Sequence, residues 1–395
     1  MMCAGIAAAR GARVTLVEKN PILGKKLRIT GKGRCNVTNK CDAATFERNV
    51  RPDPRFLRGA YADFDSDAVM SFFESLGVPL KVERGNRVFP VSDKASDIAQ
   101  ALESFMLQQG VEVCRGAVSR LMIQDGSVRG VQLEDGALYS SKVVVATGGL
   151  SYPGTGSTGD GYRFARQAGH TVVEPRASLV PLCVEQKDLC AAMQGLSLRN
   201  VRLKLLRDSR ELFSDFGEML FTHFGLSGPT VLTLSAYALP GDTVSIDLKP
   251  ALDPQTLYKR LCSDFEKYKN KNFANSLNDL LPNRLISVII SMSGISEYKK
   301  VNSLTRAERS ALAQILKDMR FTVSSARPVS EAIVTAGGVS LKEVSAADMQ
   351  SRLVRGLYFI GEVLDLDANT GGFNLQIAFS TAHRAAEKMF ARQRA

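Results

Sequence analysis

Two glutamates each follow a short apolar stretch that is typical of a β-strand. Glu18 closes the stretch 14–17, and Glu362 comes just after the stretch 357–360. In nucleotide-binding βαβ units, a carboxylate at a strand end accepts hydrogen bonds from ribose hydroxyls. The two positions therefore predict binding sites for hydroxyl-bearing ligand groups, although acidic turns of this kind also occur without a ligand.

Glycine-rich turns follow two predicted strands. VVVATGG ends a buried strand in Ala146, Thr147, Gly148 and Gly149, and TGGFN at 370–374 leads directly into the last predicted helix. Turns without side chains let a flat cofactor or its phosphates approach the backbone. A helix N-terminus adds free amides and a positive dipole end, which favour the N1/C2 oxygen edge of a flavin. We expect the neighbouring Glu362 to accept ribityl hydroxyls; an ordinary capped helix is the alternative.

The segment 154–159, GTGSTG, matches G-x-G-x-x-G in full, and Glu174 lies twenty residues after its first glycine. One interpretation is a separate fingerprint for NAD(P). However, the strand at 143–147 already turns at Gly148, whereas fingerprint glycines follow their strand directly. We favour a glycine loop that lets the backbone approach a ligand, with Asp160 opening the next helix.

Histidine and cysteine give weaker indications. His170 and His383 are predicted to be structural, and His223 in FTHFGLSGP is the histidine that we expect to face a substrate, with Phe224 beside it. Cys35 in GKGRCN is interpreted as a small buried residue, with a reactive thiol as the alternative. No residue stands out as a general acid or base, and no spacing suggests a metal site.

The composition is that of a globular protein with more than one domain. Seven scattered cysteines without C-x-x-C predict neither a disulfide framework nor zinc, and no apolar run is long enough for a membrane span. We therefore expect a cytoplasmic protein with reduced thiols. The net charge of +11 raises nucleic acid as a partner, but the excess is spread out and lacks interleaved aromatic residues, so a small anionic molecule or a solvated surface is preferred.

The opening residues predict a helix over 4–10, a glycine C-cap at Gly11 and a strand ending at Glu18. The acidic residue of a dinucleotide fingerprint lies about 20 residues after the first glycine. Counting back from Glu18 puts that glycine before Met1. We therefore expect that roughly 10–20 residues with a strand and a G-x-G-x-x-G loop precede this sequence.

Further elements position these residues. Residues 20–39 predict a long loop, 66–77 and 93–110 predict helices, and 88–91 a short strand. The stretch 111–149 predicts a β-meander with turns at Asp125 and Asp135. The pattern is strand-rich over 201–248 and helical over 254–319, and a helix over about 375–394 closes the chain. This order predicts a nucleotide domain in two parts, 1–188 and 331–395, with an inserted domain at 189–330.

Five ordered segments carry a family resemblance: LVEKNPILGKKLRITGKGRCNVTN, VVVATGGLSYPGTGSTGDGYRFARQAGH, FTHFGLSGP, EAIVTAGGVS and GLYFIGEVLDLDANTGGFNLQIAFSTAHRAA. Together they resemble bacterial NAD(P)/FAD-dependent oxidoreductases with aminoacetone oxidase-like and bile-acid enone reductase-like members. The TGG and TGDG motifs are also similar to fumarate reductase-type flavoproteins. The resemblance implies an α/β fold: a glutathione-reductase-type FAD-binding Rossmann-like domain with an inserted β-barrel and helical region.

The resemblance also implies which residues bind non-covalent FAD. Glu18 with Lys19 would bind the adenosine ribose, Val118 would offer backbone to adenine, and residues 147–149 would pass beneath the cofactor. The whole expected set is Glu18, Lys19, Gly31, Gly33, Arg34, Cys35, Asn36, Val37, Thr38, Val118, Ala146, Thr147, Gly148, Gly149, Gly361, Glu362, Gly371, Gly372, Phe373, Asn374 and Leu375. The absent first strand and glycine loop are the departure from the family pattern.

The expected activity is hydride transfer between a small organic substrate and flavin N5, with NAD(P)H as a transient reductant. A flavin-binding module without turnover and a nucleic-acid-associated flavoprotein remain alternatives. The inserted domain is expected to supply the substrate-facing wall through His223 and Phe224. Neither the substrate nor the oligomeric state follows from the sequence.

Overall fold

A computed structural model describes residues 1–390. The chain divides into two compact units, one formed by residues 1–178 with the chain from 329 onward, the other by Leu179–Pro328. Each unit has its own hydrophobic core. The unit boundaries lie at 178/179 and 328/329, whereas the predicted segments change at 188/189 and 330/331.

The first part of the first unit alternates helices and strands. The helices are α1 Met2–Ala9, α2 Lys25–Ile29, α3 Ala43–Arg48, α4 Arg58–Asp63, α5 Ser66–Ser75, α6 Ala95–Gln108 and α7 Asp160–Gln167. The strands are β1 Thr15–Glu18, β2 Thr38–Asn39, β3 Val50–Arg51, β4 Leu80–Glu83, β5 Arg87–Pro90, β6 Glu112–Arg115, β7 Val118–Gln124, β8 Ser127–Leu133, β9 Gly136–Tyr139, β10 Val143–Val145 and β11 Val172–Ser178.

The second unit contains a closed six-stranded barrel and a group of helices. Its strands are β12 Leu182–Val184, β13 Ser197–Arg207, β14 Arg210–Thr222, β15 Gly225–Ser227, β16 Thr243–Asp247 and β17 Met319–Ala326, in the barrel order β12-β15-β14-β13-β16-β17. Its helices are α8 Lys187–Ala192, α9 Pro229–Ser235, α10 Pro254–Lys267, α11 Asn283–Ser293 and α12 Arg306–Lys317. Local sequence explains the starts of two helices: Asp253 caps α10, and Thr305 with Glu308 forms a capping box for α12.

The chain then returns to the first unit with β18 Val334–Val339, β19 Leu357–Phe359, β20 Asp367–Ala368 and α13 Phe373–Lys388. Strand β1 pairs in parallel with β6, and β10 pairs in parallel with β19. In the described residues, no ladder joins these two parallel pairs, so the Rossmann-type sheet consists of two separate two-stranded pieces. The expected strand upstream of Met1 remains a prediction.

The predicted meander was too long. Only its middle strands β7, β8 and β9 form an antiparallel sheet, with turns at Asp125 and Asp135 as expected. The flanking strands β6 and β10 belong to the two parallel pairs. Hydrophobic periodicity predicts that a strand is present but not which strand it pairs with, so the pattern along the chain could not separate parallel from antiparallel partners.

Other local differences are small. Within the predicted loop 20–39, residues 25–29 form α2, and strand β5 lies one residue earlier than expected. The last helix begins at Phe373 and ends at Lys388; the end predicted at Arg394 lies outside the described residues. No helix of the described chain is long and apolar enough to cross a membrane.

Candidate functional site

The turn after β10 is the centre of the candidate site. Gly148 has a left-handed backbone with φ of 73°, and a Cβ atom there would lie 2.8 Å from Ser157 Oγ. A Cβ atom on Gly149 would lie 2.4 Å from Thr335 Oγ1 and 3.1 Å from a carboxylate oxygen of Glu362. The turn therefore needs glycine because strand β18 and Glu362 approach its backbone closely.

Glu362 is held by contacts from three distant segments. Its Oε2 accepts a hydrogen bond from Lys26 Nζ at 2.6 Å, and its Oε1 accepts from Thr335 N at 2.9 Å and from Ser151 Oγ at 3.1 Å. Lys26 Nζ also donates to Ser151 Oγ at 2.7 Å. The Lys26 and Glu362 side chains are 24% and 20% exposed, so this ion pair is partly shielded from water.

Sequence reasoning missed Lys26 as a site residue. The signal was the GKK sequence beside the glycine-rich loop. Nothing in that sequence distinguishes Lys26 from Lys25, because the choice depends on how the short helix α2 is turned. In the structure Lys25 is exposed, whereas Lys26 is half-buried against Glu362.

Glu18 has a different environment, made largely by its own neighbour. Its Oε1 accepts hydrogen bonds from the backbone N and the side-chain Nδ2 of Asn20, both at 2.8 Å. Asn20 also donates to the carbonyl of Thr155 at 3.1 Å. The strand end thus carries a half-buried carboxylate that is oriented by the backbone and side-chain amides of Asn20.

The GTGSTG segment is held against the end of β1. Lys19 Nζ donates to Thr158 Oγ1 and pairs with Asp160, both at 2.6 Å, and a Cβ atom on Gly156 would lie 2.5 Å from Asn20 Nδ2. A 3₁₀ turn at Pro153–Thr155 separates the segment from β10, and α7 starts at Asp160 as predicted. These contacts favour a loop that contacts the Glu18 strand end over a second fingerprint.

The loop 31–38 uses left-handed backbone repeatedly, with positive φ at Gly31, Lys32, Gly33 and Cys35. Arg34 forms ion pairs with Glu83 and Asp93, and its guanidinium lies 4.2 Å from the centre of the Phe89 ring.

Cys35 is fully buried, and burial raises the pKa of its thiol to about 12. A thiol with this pKa stays protonated at neutral pH, which favours the structural interpretation over a reactive thiolate.

The N-terminus of α13 packs against this loop. Gly372 has φ of 102°, and a Cβ atom there would lie 2.4 Å from the carbonyl carbon and oxygen of Thr38. Thr38 Oγ1 donates to Gln376 Oε1, and Asn39 Nδ2 donates to the carbonyl of Gly371 at 3.1 Å. The structure therefore brings the two predicted segments 31–38 and 371–375 together.

Some expected site residues have other roles in the structure. Asn374 uses its side-chain amide on the backbone of Ala368, accepting at 2.9 Å and donating at 2.7 Å, and Phe373 is buried in the core. The carbonyl of Val118 accepts from Arg163 at 3.3 Å. Ala146 is exposed and Leu375 is half-buried, while Val37 is fully buried and Gly361 has φ of 70°.

His223 and Phe224 belong to the second unit. His223 is exposed, its ring lies edge-on to Phe224 at 5.0 Å, and Arg327 lies 4.7 Å from the Phe224 ring centre. Their expected contact with a substrate stays a prediction.

The other two histidines are buried or half-buried. His170 Nε2 forms a hydrogen bond with Ser351 Oγ at 2.7 Å. The ring of His383 stacks on the ring of Phe64, with 4.5 Å between the ring centres. These contacts fit the structural roles expected from the sequence.

Two buried polar atoms test whether a flavin fits. Asn36 Oδ1 and Thr147 Oγ1 have no hydrogen-bond partner within the described residues, and buried polar groups are normally paired. Both belong to segments expected to contact the cofactor. The open backbone of the turn at Gly148 and Gly149 beside the Glu362 carboxylate fits a flat cofactor with ribityl hydroxyls, so the residues present fit FAD. Across residues 1–390 there is no cluster of three or more His, Cys, Asp or Glu side chains that could hold a metal ion.

Two titratable groups near Glu362 have raised pKa values. Burial, followed by the charges of Glu362 and Asp365, raises the pKa of Tyr162, whose hydroxyl has no partner in the described chain. Burial and the nearby Asp367 raise the pKa of Asp365. Asp365 is half-buried and lies three residues after Glu362, so it is a carboxyl group that retains its proton to higher pH than usual.

Comparison with known proteins identifies the family. Residues 1–388 match the family described as HI0933-like protein Rossmann domain. A protein named ribosomal RNA dihydrouridine synthase from Escherichia coli K12 is 32% identical over 393 residues, covering 99% of this chain and 95% of that protein. A protein named 3-dehydro-bile acid delta(4,6)-reductase from Clostridium scindens is 31% identical over 394 residues, covering 97% and 94%.

A solved structure of 3-ketosteroid-delta4-(5alpha)-dehydrogenase from Rhodococcus jostii RHA1 is 14% identical, with a TM-score of 0.47 and coverage of 98% of this chain and 94% of that chain. The family match confirms the resemblance and the Rossmann-type fold class expected from the sequence. The chain is a member of the HI0933-like Rossmann domain family.

Proposed function

We propose that this protein is an FAD-dependent oxidoreductase that reduces a carbon–carbon double bond conjugated to a carbonyl group. The observation that carries the proposal is the Glu362 carboxylate, fixed by Lys26, Ser151 and Thr335 beside the side-chain-free turn at Gly148–Gly149. Such a carboxylate suits ribityl hydroxyls.

Bound FAD would supply hydride transfer, the two-electron part of the reduction. The protein residues orient the cofactor and shield it from water. Lys26 keeps the Glu362 carboxylate in one position, and the close contact of Gly372 with Thr38 brings the amides of the α13 N-terminus to the loop 31–38. Reduction of a conjugated double bond also needs a proton at the second carbon. Asp365 is our candidate donor because it is half-buried three residues after Glu362, where burial and the charge of Asp367 hold its pKa above the ordinary value.

The substrate class comes from the names of two relatives. Dihydrouridine is uridine with two hydrogens added to the ring double bond beside a carbonyl, and a delta(4,6)-reductase name also denotes reduction of double bonds. We propose uracil in RNA as the first candidate, because the relative whose name contains dihydrouridine matches over 99% of this chain. A small enone is the second candidate, since the relative with the bile-acid name matches over a similar length.

We also propose NADH or NADPH as the transient reductant and the cytoplasm as the location. A flavin-binding module without turnover remains the alternative to an enzyme.

Anaerobic titration tests this proposal. The purified protein is expected to carry a yellow flavin that NADH or NADPH bleaches. Addition of uridine-containing RNA or a steroid enone should then restore the oxidised spectrum and give a product heavier by two hydrogens, detected by mass spectrometry. A protein without flavin after reconstitution with FAD would contradict the proposal. A flavin that is reduced but reoxidised by neither substrate class would favour the module without turnover.

A further inference from the structure

The antiparallel sheet β7–β8–β9 borders an open cleft of about 530 Å³ in the first unit. This meander cleft is lined by residues from all three strands and from the end of α7, among them Arg120, Met122, Gln124, Arg129, Tyr139 and Gln167. None of these residues contributes to the site around Glu362. The cleft is therefore a second concave surface of the same unit.

The charges of the meander cleft have one sign. Arg120 and Arg129 are exposed, and within residues 1–390 neither guanidinium has an ion pair or hydrogen bond. The residues lining the cleft include no aspartate or glutamate. Two unpaired guanidinium groups facing an acid-free cleft favour an anionic ligand.

The basic residues around 267–271 provide a contrast. Lys267 pairs with Asp279 at 2.7 Å, and Lys269 pairs with Glu266 at 2.8 Å. Lys271 Nζ lies 4.5 Å from the centre of the Tyr268 ring. Most of this positive charge is neutralised locally, so the most conspicuous lysine cluster in the sequence is a weaker anion-binding surface than the meander cleft.

The meander cleft also contains an exposed aromatic ring. Tyr139 is 82% exposed, although it belongs to the regular strand β9. It pairs across the sheet with Gly130, which in turn pairs with Met122. A Cβ atom on Gly130 would lie 2.8 Å from Met122 Cε, so the glycine leaves room for the methionine side chain beside the tyrosine. Tyr139 and Met122 thus share a cross-strand row of the sheet, in a mainly polar cleft that Arg120 and Arg129 also line.

We infer that the meander cleft is a docking surface for single-stranded RNA, with phosphates on Arg120 and Arg129 and a base stacked on Tyr139. Cationic side chains along a groove with an aromatic ring as a stacking surface are the combination that single-stranded nucleic acids require. This inference rests on the proposed RNA substrate. It assigns to the cleft the role of holding RNA outside the flavin site.

The test uses the FAD-loaded protein and a fluorescein-labelled twelve-nucleotide oligouridine, with binding followed by anisotropy between 50 and 200 mM salt. Arg120→Ala/Arg129→Ala should weaken binding about ten-fold and reduce the salt slope by about 1.4, since each phosphate contact on single strands contributes about 0.7. Tyr139→Ala should weaken binding by about ten-fold, whereas Tyr139→Phe should bind like the wild type because the ring is kept.

Arg13→Ala/Lys342→Ala is the matched control, because it removes two exposed charges of the same unit away from the cleft. Flavin content, melting temperature and turnover of a small enone should be unchanged in all variants. With RNA as substrate, the cleft variants should raise KM and leave kcat nearly unchanged.

The outcomes separate this inference from the proposed function. If the wild type binds and reduces RNA, and the cleft variants match the control variant, the docking surface is wrong and the RNA substrate stands. If the wild type neither binds nor reduces RNA, the RNA substrate and the docking surface both fall. If uridine monophosphate competes as well as the oligomer, the cleft is a mononucleotide site and the inference is overturned.

Discussion

Glu18 is the last residue of β1 and Glu362 lies in the turn just after β19, but the surroundings of the two carboxylates differ. Glu18 is oriented by Asn20, two residues away in the sequence. Glu362 is held by Lys26, Ser151 and Thr335, which come from three separate stretches of the chain. A local turn can reorganise cheaply, whereas a non-local network depends on the whole unit being assembled. We therefore expect the Glu362 side of the site to respond much more strongly to substitution.

The largest effect is expected from Gly372→Val. A side chain there would collide with the Thr38 backbone and would force a β-branched residue into a left-handed conformation. We expect at least a ten-fold loss of bound FAD, measured by visible absorbance, with far-UV circular dichroism retained. Gly77→Val is the matched control, because Gly77 also has a positive φ but nothing within 4 Å of its added Cβ, and it lies outside the expected FAD-binding set. Equal flavin loss in both variants would show that strain, not the contact with Thr38, matters.

The next effect tests the ion pair. Lys26→Met leaves a partly buried carboxylate without its cation, which costs about 1–3 kcal/mol. FAD affinity should fall by roughly ten-fold. Lys25→Met, which changes an exposed neighbour, should have almost no effect on fluorescence titrations of FAD. If the two variants bind FAD equally well, Lys26 does not position Glu362 for the cofactor.

A direct comparison of the two glutamates should give a smaller difference. Glu362→Gln removes a charge on which three donors converge, whereas Glu18→Gln keeps an oxygen that can still accept from Asn20. Isothermal titration with FAD should show a greater loss of affinity for Glu362→Gln, by about a factor of five. A greater loss for Glu18→Gln would reverse the order that the contacts imply.

The smallest effect concerns acid stability. Burial lowers the pKa of His170 and outweighs the opposing attraction of Glu343. Because the unfolded chain takes up this proton near its ordinary pKa of about 6.5, stability should be complete above that pH and should fall as the pH drops below it. His170→Gln should show a shallower fall in melting temperature between pH 7 and 5. Burial also lowers the pKa of His383, so some acid sensitivity should remain. An unchanged slope in the variant would exclude a contribution from His170.

The sequence predicted those features that depend on local pattern. The strand end at Glu18, the start of α7 at Asp160 and the helical stretch after Pro254 all follow from residues within one turn or strand. Contacts between residues that are distant in the chain could not be predicted. The assignment of β6 and β10 to parallel pairs and the choice of Lys26 over Lys25 depend on tertiary packing, which short-range periodicity does not encode.

The pairing of β10 with β19 has a consequence for how the chain folds. Val143 pairs with Leu357, and the whole second unit lies between them in the sequence. Such non-local pairing requires closure of a very long chain loop and slows folding. The barrel strands, by contrast, pair within one continuous segment. The second unit can therefore fold before the last strands and α13 of the first unit have been synthesised. During that interval β10 has no partner strand because β19 has not yet been synthesised, and its unpaired edge makes this stage of synthesis the one most exposed to aggregation and most in need of a chaperone.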